Sequence, residues 1–170
     1  MFFGDSPLND KTILVVDDEP DILEAVEEEL EMCLIHKAGD YETALQYLLG
    51  YTYDAVILDV MGVNGFELLK VSVSRGFPTV MLTAYALTPE ALKKSIQLGA
   101  VFFLPKEKLI DLRDFLEDLI KNKGVPSWMN FFDRLGAYFN KHFGPDWKEK
   151  DKFFKEFEES ILKSEKGVTK

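Results

Sequence analysis

Cysteine is almost missing from this chain. Cys33 stands alone, so no internal disulfide framework can form, and a reducing compartment suits the sequence. Long hydrophobic runs are missing too. No apolar stretch approaches the roughly 20 residues needed to span a bilayer. The opening residues, MFFGDSPLND, lack the basic flank and apolar run of a secretory leader. A cytoplasmic protein without a membrane segment is the expectation. An excess of positive charge is the third absence. The net charge is −10, and its distribution is uneven. Residues 1–124 hold 11 Lys+Arg against 22 Asp+Glu, whereas residues 125–170 hold 9 against 8. Non-specific nucleic-acid binding draws on a strong positive field, and neither stretch supplies one. DNA binding is therefore not expected. The two histidines, His36 and His142, are isolated and make no metal-ligand pattern.

What is present is a core. Hydrophobic residues make up 46% of the chain, which argues against disorder. From residue 11 onward, short apolar runs alternate with helical patterns. Thr12–Val16 reads as a strand ending in Asp17-Asp18-Glu19-Pro20, and Ile22, Leu23, Val26 and Leu30 then recur at helical spacing. Cys33–Ala38 reads as a weaker second strand, and Asp40 can cap the helix after it. Ala55–Leu58 is a third strand ending at Asp59, with a helix over Phe66–Val73. Thr79–Leu82 is a fourth, ending at Thr83. Thr88-Pro89-Glu90 starts a helix that closes near Gly99, with hydroxyl cap, N1 proline and first-turn acid in order. Val101–Leu104 is a fifth strand, followed by Lys106 and a helix to about Lys121. Five continuously apolar strands between amphipathic helices indicate an α/β fold, a doubly wound parallel sheet.

Such sheets bind ligands outside the carboxyl ends of their strands. Here those ends carry Asp17, Asp18, Asp59, Thr83 and Lys106. Two carboxylates about 4 Å apart repel by roughly 4 kcal/mol at an effective dielectric near 20. Three together call for a raised pKa or a bound cation. A hard divalent ion such as Mg²⁺ suits few carboxylates and several waters. It would also let a carboxylate attack a phosphoryl group. Lys106 could pair phosphoryl oxygens, and the Thr83 hydroxyl could donate to them. Singly, each residue has a plainer reading: Asp18 or Asp21 as a helix cap, Asp59 as a turn residue, Cys33 and Phe103 as core.

The motifs ILVVDDEPDIL (13–23), YDAVILDV (53–60), VMLTAYA (80–86) and VFFLPKEK (101–108) resemble those of response-regulator receiver domains, the CheY-like family, in order and spacing. The resemblance implies a flavodoxin-like sheet of order 2-1-3-4-5. It implies Asp59 as phosphoacceptor, Asp18 with Asp17 beside it and the Met61 carbonyl as Mg²⁺ ligands around Asp59, Thr83 as switch hydroxyl, Lys106 as the phosphate-pairing ammonium and Phe103 as switch aromatic. The implied partners are a sensor histidine kinase or phosphotransfer protein, a downstream protein and a homodimer. Tyr85, two positions after Thr83, could cover the site and slow dephosphorylation. Three departures stand out. The loop Val60–Gly65 is about two residues shorter than is usual and lacks proline. Pro105 precedes the lysine instead of following it. Phe103 carries no hydroxyl.

Two other readings compete. One is an aspartyl-phosphate phosphohydrolase, which would want a second Asp where Met61 stands. The other is a phosphorylation-independent interaction module.

The sequence divides into an N-terminal segment (1–10), a receiver domain (11–123) and a C-terminal helical extension (124–170), with the breaker NKGVP at 122–126 marking the boundary. In the extension, Trp128, Phe131, Phe132, Leu135, Tyr138, Phe139 and Phe143 fall at helical spacing up to Gly144-Pro145. Trp147, Phe153, Phe154, Phe157 and Ile161 mark a second helix, with a frayed tail from Lys163. So short a segment cannot bury its own core. Its aromatics need a partner surface, in cis or in trans. No helix-turn-helix output domain is apparent.

Overall fold

A computed structural model of the chain describes residues 4–84 and 87–165. Five parallel strands form one sheet: β1 (Thr12–Val16), β2 (Leu34–Ala38), β3 (Ala55–Asp59), β4 (Thr79–Thr83) and β5 (Phe102–Pro105). Their spatial order is β2-β1-β3-β4-β5, the doubly wound order expected from the sequence. Register aligns the strand ends: Val16 pairs with Leu58, Asp59 with Leu82, and Thr83 with Pro105. The central strands β3 and β4 are buried along their whole length, so they are apolar on both faces.

The helices between them are α1 (Pro20–Glu29), α2 (Tyr41–Gly50), α3 (Gly65–Ser74), α4 (Pro89–Gln97) and α5 (Leu112–Lys121). Right-handed crossovers place α1 on the face opposite α2, α3 and α4. The caps fall where the side chains predicted them. Asp40 accepts from the Thr43 amide at 2.8 Å, and Thr88 accepts from Ala91 at 3.0 Å with Pro89 behind it. Between Lys106 and α5 the sequence suggests one helix. The chain instead forms a 3₁₀ segment, Lys106–Asp111, with non-helical geometry at Lys108. Residues before β1 also join the core: Leu8 is fully buried, and the Ser6 hydroxyl donates to Glu117 of α5 at 2.8 Å.

Beyond α5 lie α6 (Trp128–Phe143) and α7 (Lys152–Glu165). Ser127 caps α6 by accepting from Asn130, and Gly144, at φ +96°, closes it. Trp147 sits in the connection before α7, not within that helix, and α7 continues past Lys163 to Glu165. Both points correct the sequence reading. Ring packing against the hairpin, rather than helical spacing, explains the tryptophan.

The partner surface for the aromatics is found in cis, at the free edge of β5. Successive strand residues face opposite ways, and α6 reaches both. Phe131 lies 6.2 Å from Phe102 and 6.2 Å from Phe115 of α5, while Phe139 lies 6.3 Å from Phe103. Phe131, Phe139 and Phe154 are essentially fully buried. Each such side chain contributes roughly 2–3 kcal/mol. A covered edge also leaves no strand open to unwanted pairing on that side. The opposite edge, β2, keeps Leu34 exposed.

Candidate functional site

The carboxyl ends of β1, β3, β4 and β5 deliver Asp17, Asp59, Thr83 and Lys106 to one end of the sheet. Asp17, Asp59 and Thr83 are buried. Asp18 is exposed at the rim. Ligand oxygens of Asp17, Asp18 and Asp59 all lie within 4.8 Å of one another. The Lys106 ammonium, nearly buried itself, stands 2.9 Å from Asp17 Oδ2, 2.7 Å from Glu19 Oε1 and 3.6 Å from Asp59 Oδ1.

Asp17 has a second task. Its Oδ1 accepts from the Glu19 amide at 2.9 Å, just before α1. That contact is a turn leading into α1: Glu19 holds the N-cap position and no side chain caps the helix, so neither Asp17 nor Asp18 serves as its cap. The approach of Lys106 to Asp17 Oδ2 is poorly directed, so that buried oxygen gains charge neutralisation and no hydrogen bond.

The electrostatics follow from crowding. Burial, then the Asp17 charge, then Asp18, push the Asp59 carboxyl up to about 7, and Lys106 only partly offsets them. Burial also raises Asp17 above the usual carboxylate range. Lys106 is held above the ordinary lysine value: burial opposes its charge, but the hydrogen bond to Glu19 and the charges of Asp17 and Asp59 prevail. One ammonium thus faces three carboxylates, those of Asp17, Glu19 and Asp59. A buried acceptor without a hydrogen bond, a carboxyl whose charged form is disfavoured by burial and by its neighbours, and an open rim at Asp18 all fit a divalent cation.

The loop after Asp59 is shaped for close approach. Gly62 adopts φ +86°, and a Cβ there would sit 2.5 Å from Asp18 Oδ2. At Gly65 a Cβ would lie 2.0 Å from the Asp59 carbonyl oxygen. A cleft of about 250 Å³ is lined by Asp18, Glu19, Asp59, Met61 and Gly62. Met61, 53% exposed, stands at the mouth of this cleft. The shorter loop still closes over the acidic cluster.

Of the residues singled out in the sequence, Asp17, Asp18, Asp59, Met61 and Lys106 meet here, with Thr83 beside Lys106 in an adjoining cavity. Phe103 is fully buried one strand position before Leu104, against Phe139. Tyr85 lies outside the described residues. Sequence reasoning overlooked Glu19. Its place directly after Asp17-Asp18 was the available signal, since the start of α1 must point back over the same edge.

The family model that matches residues 13–117 is the response regulator receiver domain. The chain belongs to that family. Response regulator GtcR of Aneurinibacillus migulanus is 34% identical over 101 residues, 56% of this chain and 41% of that protein. Two-component response regulator ARR18 of Arabidopsis thaliana is 32% identical over 123 residues, 68% of this chain and 19% of that protein. The match thus spans well under half the length of either relative. Among solved structures, a CheY-like receiver domain protein from Methanospirillum hungatei JF-1 superposes with a TM-score of 0.58 at 23% identity, covering 68% of this chain and all of that one. That likeness concerns the fold. The family match ends at residue 117, so α6 and α7 lie outside it.

A receiver domain of a two-component system is a signalling phosphoacceptor, binds Mg²⁺ through an acidic pocket, and generally works with histidine kinases and downstream effectors. This chain carries an acidic cluster, Asp17–Asp18–Asp59, at the carboxyl end of its sheet. Among the described residues, no helix is long and apolar enough to cross a membrane.

Proposed function

We propose that this chain is a cytoplasmic response regulator that receives a phosphoryl group on Asp59 from a histidine kinase or phosphotransfer protein. The observation that carries this reading is the convergence of Asp59 with Asp17, Asp18 and Lys106 within ion-pair reach at one sheet edge. In the transfer, an Asp59 carboxylate oxygen forms a bond to phosphorus as the donor's N–P bond breaks, leaving an acyl phosphate. Asp18 and Asp59, with Asp17 beside them and the Met61 carbonyl, would hold the Mg²⁺, which supplies charge neutralisation for the phosphoryl group. Lys106, already 3.6 Å from Asp59, pairs with the incoming phosphoryl oxygens. Thr83, at the end of β4, donates its hydroxyl to them. Phe103 has no hydroxyl and no exposure, so any part it plays in signalling passes through packing against Phe139. The division follows the same reading: residues 11–123 receive the signal, and 124–170 form a helical extension beyond the family match. The chain is a phosphoacceptor that assists its own phosphorylation and dephosphorylation rather than an enzyme acting on outside substrates. The exposed Met61, where a phosphohydrolase would place its acid/base, favours this reading.

Intact mass spectrometry tests it. After incubation with Mg²⁺ and a small-molecule phosphodonor, wild type should gain one phosphoryl mass and Asp59→Asn none. No gain in wild type, under conditions that phosphorylate a control receiver, would point to an interaction module that works without phosphorylation.

A further inference from the structure

The 3₁₀ segment Lys106–Asp111 touches both the acidic site and the C-terminal hairpin. Its first residue, Lys106, is bound to Asp17 and Glu19. Its second, Glu107, accepts a hydrogen bond from the Tyr138 hydroxyl of α6 at 2.5 Å. Its third, Lys108, lies over the Tyr138 ring at 5.3 Å and carries the segment's non-helical kink. Its last, Asp111, pairs with Arg134 of α6 at 3.2 Å. Short 3₁₀ stretches with a kink often mark hinges. Burial and the nearby Glu107 push the Tyr138 hydroxyl up to about 12, so it stays a donor at any working pH.

Tyr138 and His142 also wall a cavity of about 350 Å³ whose other side is Thr83, Ala84, Leu87 and Lys106. The hairpin therefore meets the phosphoacceptor edge across open space, with room for the 3₁₀ segment to shift. On its far side the hairpin is tied to α4 by Lys93 and Asp151, 3.2 Å apart. It spans α4, β5 and α5, and covers the apolar surface between them.

We propose that the chain's own α6–α7 hairpin is the resident partner of the α4–β5–α5 face, and that phosphorylation of Asp59 loosens it through the 3₁₀ segment. This rests on the phosphoacceptor reading above. A phosphoryl group on Asp59 outcompetes Glu19 for Lys106, because it brings more negative charge to the same point. Lys106 moves toward it and takes the start of the segment along. Glu107 and Asp111, on the same short turn, then leave their positions opposite Tyr138 and Arg134. The buried rings of Phe131 and Phe139 are untouched by this, so the hairpin is not ejected. Its opening equilibrium rises by the ordinary range of coupling between two sites, about 5- to 150-fold.

Hydrogen–deuterium exchange on the full chain tests this, with and without Mg²⁺ plus beryllofluoride as phosphoryl mimic. Fluorine NMR of the same samples reports whether the mimic has bound. The expected result is bound mimic and at least about fivefold faster exchange in α6 amides. Tyr138→Phe keeps the ring and removes the hydroxyl. It should raise α6 exchange before loading and shrink the loaded-to-unloaded ratio toward one. A purely structural tyrosine would raise both states equally and leave the ratio unchanged, which would overturn the assignment of the coupler. Bound mimic with unchanged or slower exchange would overturn the proposal and leave the Asp59 reading intact. No bound mimic would remove both.

Discussion

The carboxyl end and the free edge of β5 use buried space in opposite ways. At its carboxyl end, Lys106 enters a pocket of carboxylates where like charges crowd and one acceptor lacks a hydrogen bond. Along its free edge, Phe102 and Phe103 meet a set of rings that match them without strain or charge. The first region is costly in the unliganded state and poised to bind. The second stabilises the fold and carries no chemistry of its own. Stability and reactivity thus occupy different parts of the same strand.

The largest effect should come from the aromatic edge. Phe131→Ala empties a fully buried site between Phe102, Phe115 and Trp128. Such truncations cost about 3–5 kcal/mol. Denaturant unfolding should show that loss, while phosphoryl uptake at Asp59 persists wherever the variant remains folded. If the midpoint hardly moves, the hairpin is not part of the cooperative unit.

Next is Lys106→Met. Removing the ammonium leaves Asp17, Glu19 and Asp59 without a counter-charge. Deleting one partner of a buried pair is more damaging than the pair is stabilising. A loss of about 2–3 kcal/mol at pH 7 is expected, shrinking as the pH falls and the carboxyls protonate. Equal losses at pH 5 and pH 8 would mean that the lysine acts by packing alone.

How much of this was legible in the sequence differs between the two regions. The acidic edge could be read almost residue by residue, because strand ends are marked by an abrupt change from Val, Ile and Leu to Asp, Thr or Lys. Parallel topology then forces those ends together. Glu19 escaped because its role depends on the direction in which α1 starts, and no periodicity encodes that. The aromatic edge was legible only as helices in need of a partner. Nothing in the spacing of Phe131 and Phe139 says that they straddle an edge strand, since that requires Phe102 and Phe103 to be seen facing opposite sides. The 3₁₀ segment was hidden for a related reason. Leu109 and Leu112 suit a helix, and the interruption at Lys108 comes from ties on both sides of the turn.

A smaller and opposite effect is expected at Asp59. Its carboxyl is pushed up to about 7, against about 3.9 in an unfolded chain. A raised carboxyl favours the protonated folded state. Its stabilising share is present in full below pH 4 and is lost as the pH rises through 7. Asp59→Asn has no charge to suppress. Without metal, the variant should therefore match wild type near pH 4 and exceed it by about 1–2 kcal/mol at pH 8. Thermal melts at the two values check this. Added Mg²⁺ should close the gap by stabilising wild type alone. A wild type more stable than the variant at pH 8 without metal would contradict the crowding described for this edge.

The smallest effect is assigned to the outer tie between α4 and the hairpin. Lys93 and Asp151 are each about a third exposed, at 35% and 33%, and 3.2 Å apart. Exposed pairs of this kind contribute between zero and about 1 kcal/mol, because water screens them and two long side chains must be held still. Asp151 keeps other work in any case, accepting from the Phe153 amide at 2.8 Å at the start of α7. Lys93→Met retains the aliphatic stem near the Phe153 ring and removes only the charge. The change in unfolding free energy should stay below about 0.5 kcal/mol and vanish in molar salt. A loss several times larger would reverse the comparison. It would mean that the hairpin is held by its polar ties, with the rings of the β5 edge merely filling the space those ties enclose.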